Sequence, residues 1–580
     1  MSELTDHQSP PEITDHPEVI RREPHPEVIL TDLDPEVSGS GPDAGVDGSR
    51  ATRRTALLAG ITTVVAAACA PPTPAAPPAP PVATTPPPPP PPVVPVVPAT
   101  ASMVVNRLTF GARPGLVAQV QAMGIGAWID QQLAPASLPN AESRVASYQT
   151  LNNTNKQNYD VQATDGGQDL LFDELDHASI LRATYSERQL YEVMCDFWAN
   201  HFNTWRRHTW MGFLKTRDLQ DVVRANALGK FSDLLTASTH SPAMLDYLDN
   251  LPNDASTPGG VNENYAREVM ELHTLGIING QQSYTEADVA GVARIVSGWA
   301  LDWTAGPNQY NFKFLPWQHS LSAVSVLGGA FSRPARTYGQ GYDDGVTLFN
   351  VLAHHPSTAK YIAWKLCRRF VSDDPPMSLV NSAAAVFSAN DTAIVPVLRH
   401  IFTSNEFAAS AGSKVRRPLD HVIACFRALN AQFGNDAQGH AANTIRYRLD
   451  DLNQPLHERP TPDGYPDIVT YWVGSEGMLQ RWEVAGLLAQ NWFTDQGQSD
   501  KIVVSLTALL PSPLPATVAD LVTWIATNIA NIALPAGDVT DLCAAIGFAG
   551  TAAASTLVAN ASRLALTFGL ILSHPAFQRR

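Results

Sequence analysis

Between residues 71 and 98, sixteen of 28 positions are proline. No other feature limits so sharply what this chain can fold into. Each proline fixes φ at about −65° and removes a backbone donor, so neither a helix nor a central strand survives the run. What remains is an extended polyproline II spacer at ~3.1 Å per residue, long enough to hold a domain several tens of ångströms from its anchor. The linker, taken as residues 71–100, therefore divides the 580 residues into a short leader and a long C-terminal part.

The leader has two pieces. Residues 1–50 carry 12 acidic and 3 basic side chains, and His16-Pro17-Glu18-Val19-Ile20 recurs as His25-Pro26-Glu27-Val28-Ile29. Such a composition cannot bury enough apolar surface to fold, and it predicts a disordered acidic tail. Residues 51–70 set Arg53-Arg54 ahead of a moderately apolar stretch that ends in Ala66-Ala67-Ala68-Cys69. That is the pattern of a twin-arginine (Tat-type) export signal. At about 14 residues the stretch is shorter than the roughly 20 that a membrane-spanning helix needs. Cys69 is a candidate lipid acceptor, although a leucine is missing from its usual upstream place. The three alanines equally suit ordinary signal cleavage. Membrane contact is expected only through the signal or a lipid anchor.

Residues 101–580 are the part that can bury a large core. The chain has a formal charge of −16; the tail accounts for −9 and the twin arginines for +2, leaving −9 for the folded part. That balance argues against a nucleic-acid partner. Helical periodicity dominates, over 116–133, 170–185, 218–225, 286–300, 346–353, 358–370, 394–402, 420–433, 481–491 and 559–572. The expectation is an all-α, multi-helix array, split by its length into two lobes. Strand signals are confined to 310–315 and 324–327, enough for one small β-hairpin. The irregular span 301–345 reads as a lid or lobe junction. Cys195, Cys367, Cys425 and Cys543 lack a C-x-x-C pair and are expected as buried free thiols.

Two helices draw the eye toward chemistry. In Val261-Asn262-Glu263-Asn264-Tyr265-Ala266-Arg267-Glu268-Val269-Met270-Glu271-Leu272-His273, the residues Glu263, Asn264, Arg267, Glu268 and Glu271 fall within about 140° of one another on a helical wheel. His273 lies on the opposite, apolar side, where an imidazole needs a partner. In the second helix Ser186-Glu187-Arg188-Gln189 reads as a capping box. His201 follows on the apolar face built by Leu190, Val193, Met194, Phe197 and Trp198, with Asn200 to one side. The stripe is equally a solvated amphipathic face, and each histidine equally a satisfied core residue. The usual helical metal spacings, His-x-x-x-His and Glu-x-x-His, are absent from both segments.

Further landmarks stand at Asn106-Arg107-Leu108-Thr109-Phe110-Gly111, Phe197-Trp198-Ala199-Asn200-His201-Phe202-Asn203, Leu248-Asp249-Asn250, Gly298-Trp299, Lys365-Leu366-Cys367 and Pro462-Asp463-Gly464-Tyr465-Pro466-Asp467. Together with the 262–276 signature, they make the chain resemble, from about Asn106 onward, a bacterial family of exported proteins known as domain of unknown function 1800. The resemblance implies export, a mostly helical domain and no established activity. It also implies partnership, since such proteins are often encoded beside a second exported, hydrolase-like family. One departure is visible: His319-Ser320 stands where the family pattern has His-Asp.

Two functions follow as expectations. The first is an exported cell-envelope protein that binds or assembles with a second exported protein. The alternative is a metal-dependent hydrolase of an envelope or extracellular polymer. There Glu268 or Glu271 would act as base, Arg267 would hold an anionic group, and His201, His273 and His319 would bind a divalent metal. Asn200, Asn262, Glu263, Asn264 and Tyr465 are the candidate ligand-lining residues. Nothing resembling a nucleophile elbow, P-loop or dinucleotide fingerprint occurs.

Overall fold

Backbone geometry at a few glycines and asparagines decides where the expected helices stop. A computed structural model describes residues 99–257, 260–434, 440–491 and 502–580. The acidic tail, Arg53-Arg54, Cys69 and the proline run through Pro98 lie outside the described residues. Helices dominate the rest, as the periodicity requires. Among the described residues the sheet content is three two-stranded antiparallel ribbons. Among the described residues no helix is long and apolar enough to cross a membrane.

The span 116–133 is two helices, Leu116–Met123 and Ile125–Leu133, because Gly124 takes φ +88° between them. The span 286–300 ends early. Glu286–Val296 is helical behind a Thr285/Asp288 capping box, but Gly298 at φ +76° turns the chain into the strand Trp299–Leu301. That strand pairs with Phe312–Phe314, while Val324–Val326 pairs with Phe331–Arg333. The single hairpin expected from 310–315 and 324–327 is therefore two hairpins: the first segment pairs backward with Trp299–Leu301, and the second pairs forward with the nearer Phe331–Arg333. Nor is 301–345 a junction between lobes. Val326 presses on Gly291 of the Glu286–Val296 helix, where a Cβ would stand 2.3 Å from Val326 Cγ1.

The described residues from 99 onward form one compact unit instead of two lobes. Arg107 shows why. Its guanidinium is fully buried and donates to the carbonyls of Val371 at 2.9 Å, Ser410 at 2.7 Å and Arg580 at 2.7 Å. Its neighbour Asn106 accepts from Arg416 at 3.1 Å and donates to the Asn531 carbonyl. One helix near the start of the described residues thus satisfies backbone from four later segments. The cysteines Cys195, Cys367, Cys425 and Cys543 are buried and free.

Among the described residues two segments are π-helical, Asp218–Arg224 and Val269–His273. The second begins where the short helix Asn264–Glu268 ends. Tyr265, Ala266, Val269, Met270 and His273 are buried, so His273 lies on the apolar side where the helical wheel placed it.

The capping box at Ser186 is not formed. The helix Gln189–His201 starts three residues after Ser186. Ser186 Oγ accepts from the Arg188 N–H, and the Gln189 amide donates to the Ser186 and Ala183 carbonyls. Gln189 is spent on the break between two helices, because the preceding helix, Gly167–Tyr185, ends against it.

Candidate functional site

The helix Pro356–Phe370 opens with proline at its first position and with His355 Nδ1 accepting from the Ser357 N–H at 3.2 Å. Along it, Tyr361, Trp364, Lys365 and Arg368 recur at i, i+3, i+4 and i+7, which places them on one face. On an ordinary core helix that stripe would be apolar. Here it lines a cavity of about 240 Å³. Phe197 and Asn200 from the Gln189–His201 helix face it, as does the loop Asp463-Gly464-Tyr465-Pro466-Asp467.

Asn200 builds that wall. Its amide donates to the Tyr465 carbonyl at 2.9 Å and accepts from the Tyr465 N–H at 2.7 Å, as a neighbouring strand would. The loop can approach so closely because position 464 is glycine, at φ +71°, where a Cβ would stand 2.2 Å from the Asn200 carbonyl. Asn203 holds the Arg459 and Thr461 carbonyls, and Trp472 donates to Pro466 at 2.7 Å. The Tyr465 hydroxyl donates to the Pro455 carbonyl at 2.9 Å. Asn200 and Tyr465 thus line the cavity as expected, but their polar atoms serve the scaffold.

The charged groups of the wall divide into paired and unpaired. Arg369 and Arg417 share Asp420 at 3.0 and 3.3 Å, and Arg417 also meets Asp196. Burial disfavours the Asp420 carboxylate, but the two guanidiniums outweigh it and hold its pKa below the usual range. Asp467 pairs with Lys414 at 3.1 Å, and Asp463 with Arg459 at 3.3 Å. Among the described residues, neither Lys365 nor Arg368 has a carboxylate within 4.0 Å. Arg368 spends its Nε on the Asp373 carbonyl and stacks 3.9 Å over the Trp364 ring. Burial draws the Lys365 ammonium down to about 8, against a partial pull upward from Asp463. Uncompensated positive charge on a cavity wall is the chemistry that receives an anion.

His201 stands behind that lysine. Its Nε2 lies 3.1 Å from the His273 carbonyl, and its Nδ1 lies 2.8 Å from Lys365 Nζ. A carbonyl only accepts, so Nε2 carries the proton and Nδ1 offers its lone pair to the lysine. Both ring nitrogens are engaged, and His201 in this arrangement is not a metal ligand. Burial, then Lys365, pushes its pKa well below the usual histidine value. The His273 ring centroid is 6.0 Å from that of His201, and its Nε2 is buried with no hydrogen-bond partner among the described residues. Burial first, then Lys365, lowers His273 to about 3.

His319 keeps other company. Its Nδ1 meets the Ser297 carbonyl at 2.9 Å, its ring abuts Phe314, and Gly341 faces its Nε2. Ser320, at the departure from the family pattern, uses its backbone N–H to bond Ser297 Oγ at 2.9 Å. Among the described residues no group of three or more His, Cys, Asp or Glu side chains is placed to hold a metal ion.

The signature's polar stripe is mostly architectural. Asn262 donates to the Asp249 carbonyl and caps the Asn264 N–H, while Asn264 donates to the Leu248 carbonyl and Asp249. Arg267 pairs with Glu286 at 2.6 Å and more loosely with Glu263 at 3.6 Å, on the exposed side. Glu271 accepts from the Tyr284 hydroxyl at 3.2 Å. Glu268 is half-buried, and burial followed by Glu271 raises its pKa. None of these six signature positions is on the cavity wall.

A smaller neighbouring cavity of about 80 Å³ shares Asn200 and Tyr465. Its Glu192 and Arg224 pair with each other at 2.7 Å, so it offers no free charge.

Residues 103–579 match the model of a family described as protein of unknown function (DUF1800). The chain belongs to this family. No curated protein and no solved structure matches it.

Three landmarks of this DUF1800 chain meet at the one cavity: the Phe197-to-Asn203 segment, Lys365 and the 462–467 loop. Sequence reasoning quoted all three but gave Lys365 no role and passed over Arg368, Tyr361 and Trp364. The signal was present, as a polar and aromatic stripe at helical spacing on an otherwise buried helix.

Proposed function

We propose that this DUF1800 chain is an exported cell-envelope protein that acts by binding, as the partner of a second exported protein, and that the group it receives in the Lys365 cavity is anionic. One observation carries the site: Lys365 and Arg368 lie one turn apart on a cavity wall, and among the described residues no carboxylate is within 4.0 Å of either. The twin arginines and the proline spacer support the address. The test measures the thermal unfolding midpoint of the full chain with acetate, phosphate and chloride at matched ionic strength. A carboxylate or oxyanion is expected to raise it beyond chloride, and the Lys365→Gln/Arg368→Gln double variant is expected to lose the difference. Equal midpoints for all three salts in the unaltered chain would refute the reading.

The convergence of His201 and His273 favours a second reading, a metal-dependent hydrolase. The engagement of both His201 nitrogens weighs against it. Trace-metal analysis of the purified protein separates the two, and a stoichiometric divalent metal would reverse the preference.

A further inference from the structure

We propose that Lys365 forms a reversible imine with a small 2-oxo acid whose carboxylate is held by Arg368. The inference rests on the anion-binding reading of the same cavity and adds a covalent step to it.

Three features of the wall carry it. First, the amine stands on a cavity surface, not in sealed core: Lys365 is half-buried and lines the space. Second, its one hydrogen-bond partner among the described residues is an acceptor. His201 Nδ1 takes a proton-bearing direction of Nζ at 2.8 Å and is itself fixed by the Nε2 bond to the His273 carbonyl. An acceptor there is compatible with a neutral amine, whose lone pair then points away from the imidazole. A carboxylate partner would instead hold the ammonium form, and among the described residues none lies within 4.0 Å. Burial moves the group in the same direction. Third, Arg368 follows three residues later on the same face, its guanidinium carbon 3.9 Å from the Trp364 ring centroid. Residues at this spacing are neighbours on one helix face, which sets the amine and the guanidinium side by side on the same cavity wall.

The step balances without an oxidant or reductant. The Nζ lone pair adds to the keto carbon. The keto oxygen takes one proton from the amine and one from solvent and departs as water. A protonated C=N bond remains, and hydrolysis reverses it.

The full chain is incubated with pyruvate and sodium cyanoborohydride, which reduces an imine to a stable secondary amine, and adducts are located by peptide mass mapping. One adduct on Lys365 is expected. Lys365→Arg, which keeps the charge but cannot form the imine, should reduce labelling to background while the unfolding midpoint stays within the range of the unaltered chain. Arg368→Gln should weaken labelling by pyruvate and leave labelling by acetaldehyde, which has no carboxylate, unchanged. A pyruvate-dependent rise in the midpoint without an adduct on Lys365 would overturn the imine and leave the anion site standing. Neither a rise nor an adduct would overturn both. Adducts spread over surface lysines and unchanged in Lys365→Arg would also refute the proposal.

Discussion

The His201 and His273 rings lie 6.0 Å apart, yet the hydrogen bond between the two residues runs from the His201 ring to the His273 backbone. The His273 side chain is therefore dispensable for positioning His201, and only its packing is lost on truncation. We predict that His273→Ala lowers stability by about 2–4 kcal/mol, the range for emptying a large buried position, and leaves the metal content of the protein unchanged. Chemical denaturation and elemental analysis of the variant check both. A metal lost on substitution would mean that the ring is a ligand.

The same residue should make stability fall with acid. His273 is held neutral, with a folded pKa of about 3 against an ordinary value of 6.5. A group lowered in this way contributes its stability fully above 6.5 and loses it as pH falls from 6.5 toward 3, because only the unfolded chain takes up the proton. Each such histidine removes about 1.4 kcal/mol per pH unit in that window. His201 and His421 are lowered in the same direction, by burial first. The deficit of His273→Ala relative to the unaltered chain should accordingly narrow by about 2 kcal/mol between pH 7 and pH 5. Urea unfolding at the two pH values measures it, and a constant deficit would mean that the ring takes up its proton alike in the folded and unfolded states.

Gly464 should tolerate no side chain. It combines a left-handed φ of +71° with a Cβ position 2.2 Å from the Asn200 carbonyl. We predict that Gly464→Ala costs at least about 2 kcal/mol, from backbone strain and forced separation together. The loop it displaces forms part of the cavity wall, so the acetate-dependent rise in midpoint should shrink as well. A variant as stable as the parent would mean that the loop is free to move.

Export should depend on Arg53 and Arg54. Replacing both with lysine is expected to leave precursor in the cytoplasm, read by fractionation and immunoblotting of a tagged chain. Normal export of the double variant would exclude the twin-arginine route.

Limited proteolysis should trim the chain to a boundary at about residues 95–105, since a proline spacer presents no packed surface. The product should give a helix-dominated circular dichroism spectrum.

Much of the fold was legible because it rests on local signals. The Ile394–Phe402 helix stands where its periodicity put it. Thr285 and Asp288 form a capping box at the head of another helix. The misreadings arise where one residue's backbone angle overrides periodicity, as at Gly124 and Gly298, or where a strand finds a nearer partner than the expected one. At the site, burial of His201 and His273 followed from the apolar faces of their helices. The roles of Asn262 and Asn264 did not, because their partners at Leu248 and Asp249 are brought to them only by tertiary folding. Lys365 was hidden for the same reason: no local rule says that a helix face will line a cavity.

The π-helical stretch Val269–His273 has a consequence for counting. A π turn accommodates one residue more than an α turn, so every residue beyond it is advanced by about 100° relative to an uninterrupted α-helix. Removing a single residue from Val269–His273 would regularise the helix, a change that ordinarily favours stability. Yet it would swing the His273 carbonyl away from the His201 ring and, with it, release the Nδ1 lone pair that Lys365 faces. The spare residue acts as a spacer in angle, and the cavity's lysine depends on it at two removes.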